Sequence, residues 1–116
     1  MDRFTLADGR ECIVDVFEAK ERRHWLEIAY ARHGFCGHLA REQHYPDRLV
    51  IALDQALLGL PVTNVDFRRE AAIAGPTATQ DLQRLRSDGW LDQEGGGRSI
   101  RYVASKKLRE RWSASR

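Results

Sequence analysis

The residues best placed to do chemistry in this chain of 116 residues are Gln80, Gln83, Arg84 and Ser87, in the stretch GPTATQDLQRLRSDGWL at 75–91. Ala78, Leu82 and Leu85 recur there at helical spacing and define an inner face. With Ala78 at the core centre and about 100° of rotation per residue, Pro76, Gln80, Gln83, Arg84 and Ser87 fall within roughly 60° of the outward direction. Thr77 and Thr79 stand at the flanks of that face. Glutamine can pair with both edge atoms of adenine, arginine with those of guanine, and serine or threonine with phosphate or base. The face therefore suits base edges and phosphates, and the competing reading is an ordinary solvated helix surface.

Further along, Arg98 and Arg101 flank Gly95-Gly96-Gly97. A basic hairpin tip of this kind enters a minor groove or straddles phosphates, while Tyr102 is expected to pack inward. Arg68, Arg69, Lys106 and Lys107 are candidate phosphate contacts, with Arg109 and Arg111 close by; each such contact adds salt-dependent, sequence-independent affinity. Each is equally at home on a solvated surface. In HGFCGH, His33, Cys36 and His38 invite a metal reading, but no second Cys-x-x-Cys or histidine pair completes a site, and neither metal nor cofactor is expected. No nucleophile with an orienting base, no paired carboxylates and no phosphate loop can be assembled, so the chain is not expected to be an enzyme.

The elements that must hold these groups are legible in outline. FTLADGRECIVDVF (4–17) reads as a β-hairpin turning at Ala7-Asp8-Gly9, and residues 18–34 as a helix with a Trp25, Ile28 and Ala29 stripe ended by Gly34. A short helix from His38 is weaker. YPDRLVIALDQALLGLP is the most apolar segment: Pro46 and Asp47 suit its first turn, Leu49, Val50, Leu53, Ala56, Leu57 and Leu60 are expected inward, and Gly59 with Pro61 ends it. After Val62-Thr63, Asn64 is expected to cap a helix carrying Val65, Phe67, Ala71 and Ile73. Gly75-Pro76 starts the next helix, which Gly89 stops. Two strands around the three glycines follow, then a short basic helix capped by Ser105.

From residue 47 the order is helix, short strand, helix, tight turn, helix and glycine-tipped hairpin, which is the order of a winged helix-turn-helix. Small residues at Ala71, Ala72 and Ala78, with Leu82, would let the second and third helices of that unit cross closely and leave the outer face of the third free for a DNA major groove. The fold class expected is thus mainly α with a small β wing, extended N-terminally by a β-hairpin and helix.

Residues 75–104 resemble the C-terminal winged-helix domain found on many bacterial Fic proteins, and a similar pattern occurs in MarR-like repressors. The resemblance rests on Pro76-Thr77-Ala78, the spaced Leu82 and Leu85, Gly89-Trp90-Leu91, Gly97-Arg98 and Arg101-Tyr102-Val103. It implies a winged helix. The Fic catalytic stretch, a His-Pro-Phe followed by Gly-Asn-Gly-Arg, is absent, so AMP transfer is not carried over. The serine that usually caps the third helix is replaced by Ala74-Gly75, leaving Gly75 to start it at a cost of a few tenths of a kcal/mol, roughly.

Charge supports a division of labour. Residues 1–65 carry eight Lys/Arg against ten Asp/Glu, and residues 66–116 carry eleven against seven. A basic half points to one anionic partner met by that half. Residues 1–45 are expected to serve dimerisation or partner binding, and 46–116 to form the DNA-binding domain. Two cysteines, no apolar run of membrane length and no basic-then-apolar leader lead to the expectation of a cytoplasmic chain with no membrane contact. The reading is a homodimeric, sequence-specific binder of double-stranded DNA from a bacterium or phage, a transcriptional regulator; the alternative is a winged-helix module that binds and regulates another protein.

Overall fold

The structure, a computed structural model, describes the backbone of residues 2–5, 11–14 and 16–115 and the side chains of residues 23–115. The chain divides into two compact units, Met1–Ala31 and Arg32–Arg116. This boundary differs from the expected one at 45/46, because the later part of the first helix supplies core to the second unit.

In the first unit β1 (Asp2–Thr5) pairs antiparallel with β2 (Glu11–Val14) in the register Asp2↔Val14 and Phe4↔Cys12. The expected turn at Ala7-Asp8-Gly9 lies outside the described residues. The second strand stops at Val14, and α1 (Val16–Glu42) begins where the alternating pattern predicted more strand. Trp25 is 69% exposed, with Leu26 and Tyr30 also in solvent, while Ile28 and Ala29 are half-buried. The expected Trp25, Ile28 and Ala29 stripe is therefore not a buried one.

Gly34 does not end α1; the helix runs through Gly34 and Gly37 and absorbs the weaker helix expected from His38. The reason is burial further along. Cys36, Leu39 and Ala40 are core residues, and Phe35 packs against that core. Burying side chains of this size contributes about 1.5–3 kcal/mol for a leucine alone, against about 1 kcal/mol lost to a helical glycine.

The second unit continues with α2 (Leu49–Leu57), α3 (Asn64–Ala71), α4 (Gly75–Ser87), β3 (Leu91–Glu94), β4 (Arg101–Ala104) and α5 (Lys106–Ala114). The described chain is thus mainly helical, with five α-helices and small antiparallel sheets, an arrangement compatible with the expected winged fold. Pro46 and Asp47 form the turn that leads into α2, where Leu49, Val50, Ala52, Leu53 and Ala56 are buried. Leu60 is exposed rather than inward, because Gly59 takes φ +84° and turns the chain off the helical path. Val62 forms a bridge to Tyr102, each N–H donating to the other's carbonyl at 2.8 Å, which fastens the start of α3 to the β3–β4 hairpin.

Four helices end alike, each with a residue at positive φ followed by a backbone bond reaching five residues back. Tyr45 N–H donates to Ala40 O, Leu60 to Gln55, Ile73 to Arg68 and Trp90 to Leu85, at 2.8–3.2 Å. The positive-φ residues are His44, Gly59, Ala72 and Gly89. Ala72 is consequently the turn itself, not part of the α3–α4 contact expected of it, while Ala78 and Leu82 are fully buried there.

Two caps also differ from expectation. Thr63, in extended backbone, caps α3, its hydroxyl accepting from Asp66 N–H at 3.2 Å, and Asn64 is the first helical residue. Ala74 precedes α4 with no side-chain cap, and Gly75 is its first residue. Ser105 caps α5 as expected, accepting from Leu108 N–H at 3.1 Å and donating to Gly89 O at 2.6 Å. Among the described residues no helix is long and apolar enough to cross a membrane.

Candidate nucleic-acid interface

The helix α4 turns Ala78, Asp81, Leu82 and Leu85 into the core and leaves Pro76, Thr79, Gln80, Gln83, Arg84 and Ser87 exposed, with Thr77 half-buried. Three anchors fix its placement. Arg48, at the start of α2, grips Asp81 with both carboxylate oxygens engaged, Nε to Oδ2 at 2.6 Å and a terminal nitrogen to Oδ1 at 3.1 Å. Asp81 holds Arg48 firmly protonated through that bond. Asn64 Nδ2 donates to Gly75 O at 3.1 Å. The Tyr45 hydroxyl donates to the Asp88 carboxylate. Burial, and then that bond to Asp88, push the tyrosine hydroxyl well above its ordinary range, so it remains a donor.

The exposed face is not uniform. One flank turns to the hairpin: Thr79 and Gln83 line a cleft of about 530 Å³ together with Thr63, Asn64, Arg98, Ser99 and Arg101. The other flank carries Arg84, whose guanidinium lies 4.7 Å from the centroid of the Tyr45 ring. Gln80 and Ser87 occupy the crest between them. Neither Gln80 nor Gln83 has a hydrogen-bond partner among the described residues, so their amides are free to meet an outside group.

The hairpin pairs Leu91↔Ala104, Asp92↔Val103, Gln93↔Tyr102 and Glu94↔Arg101, and Tyr102 packs inward as expected. Its tip depends on Gly95, at φ +75°, where a Cβ would stand 2.4 Å from the carbonyl oxygen of Ser99. Only glycine fits, and Gly97–Ser99 then form a single 3-10 turn that presents Arg98 to solvent. Arg101 is less free: its Nε donates to Glu94 Oε2 across the strands at 3.2 Å.

The structure thus brings four of the expected contact residues, Thr79, Gln83, Arg98 and Arg101, to one cleft. It does not bring the others there. Lys107 is exposed but already engaged, its ammonium 4.0 Å from the Trp90 ring centroid and donating to Asp88 O at 2.9 Å, where it neutralises the C-terminal end of α4. Lys106 pairs with Glu110 at 3.7 Å on the outer side of α5. Arg111 pairs with Glu42 and lies 5.6 Å from Trp90. Arg68 and Arg69 are exposed on the last turn of α3. Three polar cleft residues escaped the reading of the sequence: Thr63, Asn64, taken for a cap, and Ser99, hidden in the glycine loop.

The His33, Cys36 and His38 group does not converge. Cys36 is fully buried, His33 and His38 are exposed, and His38 faces Glu42 at 3.5 Å. Burial, with the Asp54 charge adding to it, pushes the Cys36 thiol up to about 12. It is a core thiol at neutral pH.

Chemically, the cleft walls carry two arginines, hydroxyls and amides and no carboxylate. Such a lining favours an anion, and the crest beside it offers side-chain donors and acceptors. No protein-family model matches the chain, and no curated protein matches it.

Proposed function

We propose that the chain is a sequence-specific binder of double-stranded DNA, a transcriptional regulator of winged helix-turn-helix type. The observation that carries this reading is the state of α4. Its inner face is fully buried and triply anchored, while Gln80 and Gln83 project outward without internal partners, next to a hairpin whose tip presents Arg98. In this reading Gln80, Gln83 and Ser87 meet base edges in the major groove, Pro76, Thr77 and Thr79 line the approach, and Arg98 reaches the backbone or minor groove. Arg84 contributes from its seat on Tyr45. Two copies related by symmetry would read a palindromic site, with residues 1–45 available for the contact between them.

A second reading is a protein-interaction module, and Trp25, Leu26 and Tyr30 favour it: three large apolar side chains stand in solvent on the middle of α1.

Selection from a random pool of duplex DNA at two salt concentrations, followed by the Gln80→Ala, Gln83→Ala double variant, separates them. An enriched motif whose preference the double variant loses, with non-specific binding nearly intact, supports direct reading. Absence of any motif, or equal loss on every sequence, counts against it.

A further inference from the structure

The cleft between α4 and the hairpin contains a hydrogen-bond relay whose direction the geometry fixes. Asn64 Nδ2 donates to Gly75 O at 3.1 Å and to Thr79 Oγ1 at 2.8 Å. A carbonyl only accepts, so the amide nitrogen of Asn64, not its oxygen, must face Gly75. Both hydrogens of that nitrogen are then committed, one to each partner.

Thr79 is the receiving end. A helical threonine ordinarily returns its hydroxyl proton to the carbonyl four residues earlier, here Gly75 O. That oxygen already accepts the helical N–H of Thr79 and the amide of Asn64, which occupy its two lone pairs. With its oxygen accepting from Asn64 and Gly75 O filled, the Thr79 hydroxyl can turn its proton away from the helix. Thr79 is exposed and lines the cleft with Arg98, Ser99 and Gln83, and the cleft lining contains no carboxylate.

We propose that this cleft is a seat for one backbone phosphodiester of duplex DNA. The Thr79 hydroxyl donates to a phosphate oxygen, Asn64 is the positioning residue that aims it, and Arg98 supplies the charge. The inference rests on the DNA-binding reading above and assigns Thr79 to the backbone rather than to a base.

The test uses the full chain and the duplex it selects, compared with a scrambled duplex. Thr79→Val should weaken binding to both by a similar factor, about tenfold for a lost bond to a charged acceptor, and leave the salt dependence unchanged. Thr79→Ser should restore affinity. Arg98→Ala should lower the slope of log affinity against log salt by about one. Asn64→Ala should weaken binding alone but add nothing in the Thr79→Val background; should that variant fail to fold, the Val and Ser pair at Thr79 still decides. Unchanged binding by Thr79→Val, or a loss confined to one base position, overturns the seat while the DNA reading stands. A wild-type chain that binds no duplex overturns both.

Discussion

The guanidinium of Arg84 lies 4.7 Å from the centroid of the Tyr45 ring, and the hydroxyl of that ring donates to Asp88, one turn further along the same helix. One aromatic side chain just past the end of α1 therefore holds both Arg84 of α4 and Asp88, the residue that follows its last turn. Arg84 looks from the sequence like a free surface arginine. It is an exposed residue with a fixed neighbour.

Arg84→Ala should accordingly cost about 0.5–1 kcal/mol of stability, more than most surface substitutions, through loss of the cation–π contact. The same change in a Tyr45→Leu background should cost nothing further. Chemical denaturation of the four proteins of this cycle measures the coupling, and additive effects would mean that the pair does not interact.

The Arg48–Asp81 pair should respond asymmetrically. The Asp81 side chain is 9% exposed and that of Arg48 is 34%. Arg48→Ala strands a carboxylate in the core and should destabilise by about 2–3 kcal/mol, below the range for fully buried pairs because Arg48 is partly wet. Asp81→Asn leaves an arginine that can turn to water and should cost about 1 kcal/mol. Urea midpoints that rank the two variants the other way would refute the assignment of which partner is stranded.

Acid should release the tie between α1 and α5. The Arg111 guanidinium bonded to Glu42 holds that carboxyl below its usual range. A group with a lowered folded value contributes stability above its unfolded value and loses it as pH falls through the folded one. The contribution is thus present at neutral pH and disappears in acid, below the ordinary carboxylate range. Glu42→Gln should lower stability at neutral pH and converge with wild type at strongly acidic pH. A gap of constant size across that range would show that the loss is packing rather than charge.

Gly34 and Ala72 should each improve on exchange in opposite senses. Gly34 sits inside α1 with nothing within 4 Å of an added Cβ, so Gly34→Ala should raise stability by about 0.5–1 kcal/mol. Ala72 stands at φ +55°, ψ +48°, so Ala72→Gly should also raise it, by about the same amount, since relief of the left-handed strain exceeds the entropy a glycine adds to the unfolded chain. Thermal melts of both single variants check this.

How far the sequence reveals the molecule can be judged from the same residues. Signals confined to one turn of helix are legible: Gly59 and Gly89 stop their helices, Ser105 caps α5, and Ala78, Leu82 and Leu85 face the core. Competition between local and distant effects is not. Gly34 has the credentials of a helix end, yet the burial of Cys36, Leu39 and Ala40 carries α1 past it. Thr63 and Asn64 are both good caps, one position apart, and the pinning of Val62 to Tyr102 leaves Thr63 in the extended conformation a cap requires.

The site divides in the same way. Exposure of Gln80 and Gln83 follows from helical spacing alone. The partners that reassign Arg84, Arg101 and Lys107 come from other elements: Tyr45 precedes α2, Glu94 lies across the hairpin, and Trp90 follows α4. No short window of sequence places Arg84 with Tyr45 or Lys107 with Trp90, and the hairpin register is needed to set Arg101 against Glu94.

The bridge between Val62 and Tyr102 has a consequence in time. Its two residues stand about forty positions apart, so its closure carries a larger loop entropy than any helix turn or the hairpin itself. Helices and hairpin can nucleate in microseconds, but joining them must await that long-range encounter. Thr63 and Asn64 adjoin one half of the bridge, and Arg101 adjoins the other. The cleft is therefore assembled only once that encounter has joined its two sides, and it comes apart when a local opening parts the bridge.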